Sequence, residues 1–198
     1  MKQYTIAKTN GAPDWNNVPA VQIDVERVKT DHGITAQAQL SWDETGIYVR
    51  LCAKEKNIRA ELTEKLDPVW QDSCLEFFFR PTEDLHYFNI EFNANCALCL
   101  GYGTGKEDLT RLVVWNHMKL FTPEVIRTDD GWEITYFIPF EFVRRFFHDF
   151  TPKSGLKMYG NFYKCGDKTQ KPHYMRWNPI PEGRSFHSPE DFGSLILE

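Results

Sequence analysis

The chain has no apolar run approaching the about 20 residues that a membrane-crossing helix needs, so no membrane partner is expected. Basic residues are in deficit, 23 against 28 acidic ones, for a net charge of −5. A nucleic-acid partner would call for a basic patch or stripe, and none is expected here. Internal repeats, low-complexity tracts and charge blocks are also missing, so residues 1–198 are read as a single domain. The opening MKQYTIAKTNGAPDW lacks the apolar stretch of a secretory leader. A cytoplasmic setting is therefore expected, or an extracellular one if a leader has been removed.

Cysteine is scarce and odd in number, at five. That leaves at least one thiol unpaired and favours a reducing compartment. Cys96-Ala97-Leu98-Cys99 is the one close pair. A zinc site would need a second such pair or closely spaced histidines, and Cys52, Cys74 and Cys165 stand singly. Residues three apart on a strand also point to opposite faces. Free thiols and no metal ligands are expected.

Aromatic residues are plentiful: 15 Phe, 8 Tyr and 6 Trp. Such a chain packs rings in its core, presents them to a ligand, or both. Period-two alternation recurs along it. Thr35 to Leu40 alternates strictly, Asp43-Glu44-Thr45-Gly46 reads as a turn, and Ile47, Val49, Leu51 and Ala53 continue the inward face of a hairpin. Ser73 to Arg80 sets Leu75, Phe77 and Phe79 against Cys74, Glu76 and Phe78; His86 to Asn93 sets Phe88, Ile90 and Phe92 against Tyr87, Asn89, Glu91 and Asn93. Trp132, Ile134, Tyr136 and Ile138 form another face, closed by Pro139. Residues 156–164, 173–177 and 193–197 are further strand candidates. Helical signals are thin: one short helix over 140–148, with Phe142, Phe146 and Phe147 on its apolar side, and a turn or two over 57–65. Many short strands with turns between them predict an all-β, antiparallel β-sandwich, immunoglobulin- or jelly-roll-like, with one or two short helices.

The segment Asp67 to Glu76 carries the most chemistry. Trp70 precedes a strand, and Asp72 and Glu76, four apart, are expected on one face. If the neighbouring strand pairs, Asn89, Glu91 and Asn93 add carboxylate and amide groups beside the ring. A pyranose offers an apolar C–H face to an indole and a rim of hydroxyls to acceptors and donors. Each hydroxyl bond is worth about 0.5–1.5 kcal/mol net, so several must converge. The same acidic residues on an outer sheet face are ordinarily just solvated, and the residues alone leave that reading open.

Val69-Trp70-Gln71-Asp72-Ser73-Cys74-Leu75-Glu76-Phe77-Phe78 resembles the W-x-D-x-x-E-F-F signature of the family 9 carbohydrate-binding modules, within the wider group of DOMON-like β-sandwiches. Further matches follow in the same order: Trp42-Asp43 into Gly46-Ile47-Tyr48-Val49, Phe88 to Asn93, Gly131 to Phe140, Gly160 to Tyr163, and Phe186-His187-Ser188-Pro189 with Phe192-Gly193. The resemblance implies non-catalytic binding of an oligo- or polysaccharide, at a chain end or as a small oligosaccharide. It also implies a part in polysaccharide breakdown, such as that of xylan, beside a glycoside hydrolase. In the family two tryptophans sandwich a terminal sugar, and a glutamate six residues after the first binds its hydroxyls. Trp70 and Glu76 have that spacing, and Trp177 is taken as the second tryptophan by order. Asp72 and the family's arginine and amides, here Arg176, Asn93 and Asn161, complete the expected sugar-binding set. Several members bind a structural calcium, but no Asp/Asn-rich loop here resembles a calcium motif, so no cofactor and no calcium ligand are carried over.

Two rival functions make different demands on the residues. A retaining glycosidase needs carboxyls about 5–5.5 Å apart and an inverting one about 6.5–9.5 Å. Asp72 and Glu76 on one strand would be about 13 Å apart, while Glu91 opposite Glu76 stays open. No Gly-x-Ser-x-Gly nucleophile is present. A haem-binding redox domain of the same fold group would need axial ligands from Met118, Met158 or Met175 with His86, His117, His173 or His187; Leu100 after Cys99 rules out a covalent attachment motif.

Overall fold

The structure, a computed structural model, describes residues 1–26 and 31–198. Its strands are β1 (Gln3–Lys8), β2 (Val21–Gln22), β3 (Val25–Glu26), β4 (Thr35–Trp42), β5 (Gly46–Lys54), β6 (Cys74–Arg80), β7 (Tyr87–Asn93), β8 (Leu98–Gly103), β9 (Thr110–Arg111), β10 (Glu124–Thr128), β11 (Gly131–Pro139), β12 (Lys157–Cys165), β13 (Tyr174–Arg176) and β14 (Gly193–Leu197). Two short helices, α1 (His117–Phe121) and α2 (Phe140–Arg144), complete it. Among the described residues no helix is long and apolar enough to cross a membrane.

The hydrogen-bonded order runs β10-β11-β5-β4-β1-β14-β12-β6-β7-β8-β9, with β2, β3 and β13 on its flanks. The sheet curls, and its two halves meet over a common core. Phe92 of β7 lies 5.0 Å from Tyr136 of β11, and Phe88 lies 5.1 Å from Phe142 of α2. Strand β1 joins the halves: Gln3 to Ile6 pair with β14, and Ala7 and Lys8 with β4, both in parallel. The prediction of an all-β chain with one or two short helices therefore matches, whereas a purely antiparallel, immunoglobulin-like sandwich does not. Alternation reveals that a strand exists; it does not reveal the direction of its partner, and the sheet is mixed because β1 runs parallel to both neighbours.

The expected faces of the long strands are present. Leu75, Phe77 and Phe79 lie in the core with Phe88, Ile90 and Phe92, and Ile47, Val49 and Leu51 face them from the other half. The halves are also joined by a buried ion pair, Lys164 to Glu55 at 3.0 Å. Glu55 accepts in addition from Ser73 Oγ at 2.9 Å and Trp132 Nε1 at 3.3 Å, so the pair is hydrogen-bonded as a buried charge must be. Helix α2 falls within the predicted 140–148. The turn or two expected over 57–65 is absent: the amides of Glu61 and Leu62 donate to Asp72 Oδ2 at 2.9 Å, and Arg59 exchanges bonds with Ser73. Those amides are claimed by a carboxylate ten residues and more downstream, so residues 58–63 do not wind into a helical turn.

Candidate functional site

Three rows of side chains cross the outer face of the β13-β12-β6-β7-β8-β9 half, and the strand register sets them. Tyr174, Cys165, Cys74 and Asn93 form one row. Arg176, Tyr163, Glu76, Glu91 and Cys99 form the next. Asn161, Phe78, Asn89, Gly101 and Arg111 form the third. Because strand side chains alternate, every one of these faces away from the core. Loops rise around the rows and close a cavity of about 760 Å³, within the about 300–1,000 Å³ usual for small-ligand sites. Its walls carry Trp70, Phe186, Tyr174, His187, Arg111 and Arg176, and Glu76 and Glu91 reach it from the floor.

Trp70 belongs to a short 3₁₀ turn, Val69–Gln71, anchored by the fully buried Val69. Its carbonyl accepts from Asp167 N at 3.1 Å, and that of Gln71 from Lys168 N at 3.0 Å, so two rim loops hold each other. The Trp70 ring is half-buried and lies under the Arg111 guanidinium, 4.9 Å from the ring centre. Phe186 is stacked on Tyr163 at 4.0 Å, while Tyr174 is half exposed. The site thus offers the rings of Trp70, Phe186 and Tyr174 beside the guanidinium groups of Arg111, Arg176 and Arg184.

Glu76 and Glu91 are directly opposite each other on β6 and β7 and are almost fully buried. Burial, followed by the nearby Asp167 charge, pushes the Glu76 carboxyl up to about 7, although Cys165 Sγ donates to its Oε1 at 2.7 Å. Burial and then Glu76 push Glu91 well above the usual carboxylate range, and Arg111 opposes both shifts. Glu91 Oε1 accepts from Asn89, whereas its Oε2 has no hydrogen-bond partner among the described residues. His187, bonded to Tyr87 through Nδ1 at 2.7 Å, is lowered to about 4 by burial and then by Arg111 and Lys106, so it is neutral near pH 7.

The glutamate pair predicts a pH-dependent stability. A carboxyl whose folded pKa lies above its unfolded value binds more protons when folded, so its contribution falls as pH rises from about 4.5 through the folded value. Glu91→Gln removes one charge of the pair and places an amide where Oε2 lacks a partner. Thermal melts of the metal-free chain should show the variant gaining most over the parent near about pH 8 and least near about pH 5. An equal change at both would mean the two carboxyls do not interact.

Of the residues expected from the sequence, the structure brings Trp70, Glu76 and Arg176 to this cavity. The other four do not line it, although Asn93 and Asn161 share its outer sheet face. Trp177 is 2% exposed and packs on Phe162 at 5.5 Å. A Cβ on Gly193 would come within 2.4 Å of its ring, so the core closes over it. Adjacent strand residues point to opposite faces, so Arg176 and Trp177 do not share one. Asp72 is wholly buried before β6 begins; besides the two amides it accepts from Asn93 Nδ2 at 2.9 Å and pairs with Arg59 at 3.2 Å. Asn93 spends its remaining groups on Leu62 O and on the Asn95 and Ala97 amides of the next turn. Asn161 holds Asn178 through two bonds, at 2.8 and 3.0 Å. Arg111, Tyr174, Phe186 and Glu91 were not in the expected set. The parity of β13 identifies Tyr174, two residues from Arg176; Arg111 lies on a two-residue strand without a pattern to read.

The haem ligands do not assemble at this cavity. Met158 and Met175 lie in the core, and Met118 is exposed. His173 is engaged by Lys164 at 2.7 Å and by the Lys171 carbonyl at 2.8 Å.

A mostly-β domain with a ring- and carboxylate-lined cavity on one outer sheet face is the class that fold and site define. The carbohydrate-binding family 9 model matches residues 12–197, and the chain belongs to that family. Among solved structures, a candidate carbohydrate-binding protein from Bacteroides uniformis ATCC 8492 superposes with a TM-score of 0.83 at 28% identity, over 100% of this chain and 99% of that one. A family 9 carbohydrate-binding module from Caldicellulosiruptor kristjanssonii in complex with glucose gives 0.71 at 16%, over 100% and 96%. The cellotriose complex of a family 9 module from the same organism gives 0.70 at 15%, over 100% and 94%. Among curated proteins none matches the chain.

Proposed function

We propose that this domain binds carbohydrate without cleaving it, with one sugar unit seated in the cavity above Glu76 and Glu91. The observation that carries the reading is convergence: rings, guanidinium groups and buried carboxyls share one cavity, the mixture a pyranose requires. Family membership supports it, and the glucose and cellotriose held by two structural neighbours point to gluco-configured ligands. Loops on its sides favour the end of a glycan chain, or a small oligosaccharide, over the middle of a polymer. The role we assign is in polysaccharide breakdown, beside a glycoside hydrolase. Calorimetric titration with glucose, cello-oligosaccharides and xylo-oligosaccharides tests this. Saturable binding of at least one series supports the reading, and silence from all of them removes it. Blocking the reducing end and then the non-reducing end of the bound sugar should abolish binding in one case only.

Hydrolysis is the rival that Glu76 and Glu91 make worth testing, because they are adjacent across strands. A glycosidase places its acid and its nucleophile or base on either side of the scissile bond. These two sit side by side on a single floor and are almost fully buried, an arrangement that favours holding hydroxyls from one side over flanking a scissile bond. No reducing sugar or aryl alcohol should be released from xylan, glucans or aryl glycosides. Turnover that vanishes in Glu76→Gln or Glu91→Gln would overturn this.

A further inference from the structure

The cavity and the layer just beneath it hold two thiols, Cys165 and Cys74, that a sugar does not require. Cys74 and Cys165 stand 91 residues apart in the chain, yet they are direct partners in the β6–β12 register. Their side chains share the outer face, and Glu76, two residues along β6, shares it too. All three residues are at most 2% exposed, and one ligand atom from each lies within 4.8 Å of the others. Glu76 and Cys165 line the cavity, so the group is reachable from solvent through it. We propose that Cys74, Cys165 and Glu76 form a site for a thiophilic divalent cation, zinc being the best match, with its fourth position open to the cavity.

Donor chemistry and geometry favour zinc. Two sulfurs select a borderline-soft ion over calcium or magnesium, which take oxygen ligands at higher coordination number. With Zn–S near about 2.3 Å and Zn–O near about 2.1 Å, donors around a tetrahedral ion are roughly 3.4–3.8 Å apart. Small side-chain adjustments bring three atoms within 4.8 Å of one another to that spacing. Binding breaks both S–H bonds and forms two Zn–S bonds and one Zn–O bond, releasing to solvent the two thiol protons and, where the Glu76 carboxyl is protonated, its proton as well, with no change of oxidation state. The three ligands then carry one negative charge more than the ion, and Arg111, whose charge already acts on Glu76, offsets it. Three protein ligands and one open position is also the arrangement of accessible zinc sites.

The experiment uses the reduced, full chain without sugar, so it does not depend on the carbohydrate reading. Cadmium, as a spectroscopic stand-in for zinc, should produce thiolate-to-metal charge-transfer absorption that saturates at one equivalent and is displaced by zinc but not by calcium. Cys165→Ser and Cys74→Ser should each weaken it by at least about tenfold, and Glu76→Gln measurably, while Cys52→Ser and Cys96→Ser leave it unchanged. X-ray absorption of the zinc-loaded parent chain should resolve two sulfur scatterers near about 2.3 Å, a readout that stands even if a buried-cysteine variant unfolds. An absent charge-transfer band, a band that survives in folded Cys74→Ser and Cys165→Ser, or a shell of nitrogen and oxygen only would overturn the proposal. A Cys74–Cys165 disulfide that resists mild reductant and blocks cadmium would overturn it as well.

Discussion

Asp72→Ala is expected to destabilise the fold by about 3–5 kcal/mol and to leave the sugar affinity of the folded molecules within about twofold of the parent. Asp72 is 0% exposed, and its carboxylate joins three stretches of chain. It accepts from the Glu61 and Leu62 amides at 2.9 Å, from Asn93 at 2.9 Å, and faces Arg59 at 3.2 Å. Removing it leaves those donors without their acceptor, and the loss of a partner in a buried polar group costs far more than the net worth of a made bond. The Arg59 side chain keeps some exposure, which moderates the loss on that side. For a chain of this size the melting temperature should fall on the order of 10 °C. Asp72→Asn, which keeps one acceptor oxygen, should lose less. Melts and titrations on the same preparations decide the role. An Asp72→Ala variant as stable as the parent but blind to sugar would make Asp72 a ligand after all.

Trp70→Ala should show the reverse pattern. Its ring is half-buried at the rim under Arg111, outside the main core, so the melting temperature should change little. Sugar stacking on an indole is worth about 1–3 kcal/mol, so affinity should fall roughly five- to 150-fold. Glu76→Gln should weaken binding in a similar range near about pH 8, above the point at which its carboxyl ionises. If Trp70 were instead a packing residue, its removal would cost about 3–5 kcal/mol of stability, as for a core aromatic. An unfolded Trp70→Ala together with full sugar binding in Glu76→Gln would place the sugar elsewhere.

The paired outcomes separate two kinds of polar residue that look alike in a sequence. Asp72 and Glu76 are both acidic, both buried and only four residues apart. One has its Oδ2 filled by neighbouring chain and its Oδ1 beside Arg59, and the other faces a cavity. The same division separates Asn93, spent on the Asn95 and Ala97 amides, and Asn161, spent on Asn178, from Glu91, whose Oε2 has no partner among the described residues.

The sequence by itself determined that strands β4 to β7 and β11 to β14 exist, and which way the alternating ones face. Leu75, Phe77 and Phe79 inward, Cys74, Glu76 and Phe78 outward, follows from period two and hydrophobicity alone, because a strand with one buried face must alternate. Trp70 before β6, and Glu76 within it, could be found the same way. Only the tertiary structure decided which strands lie side by side, since pairing is a contact between residues distant in the chain. That is why β1 runs parallel to both neighbours, and why Glu91 sits opposite Glu76. It is also why Asp72 is consumed by a loop instead of facing the cavity, and why Cys74 meets Cys165 although spacing along the chain keeps them apart. The placement of Trp177 stands between the two cases: its match to the family pattern favoured the site, while the parity of a strand that also presents Arg176 sends its ring into the core.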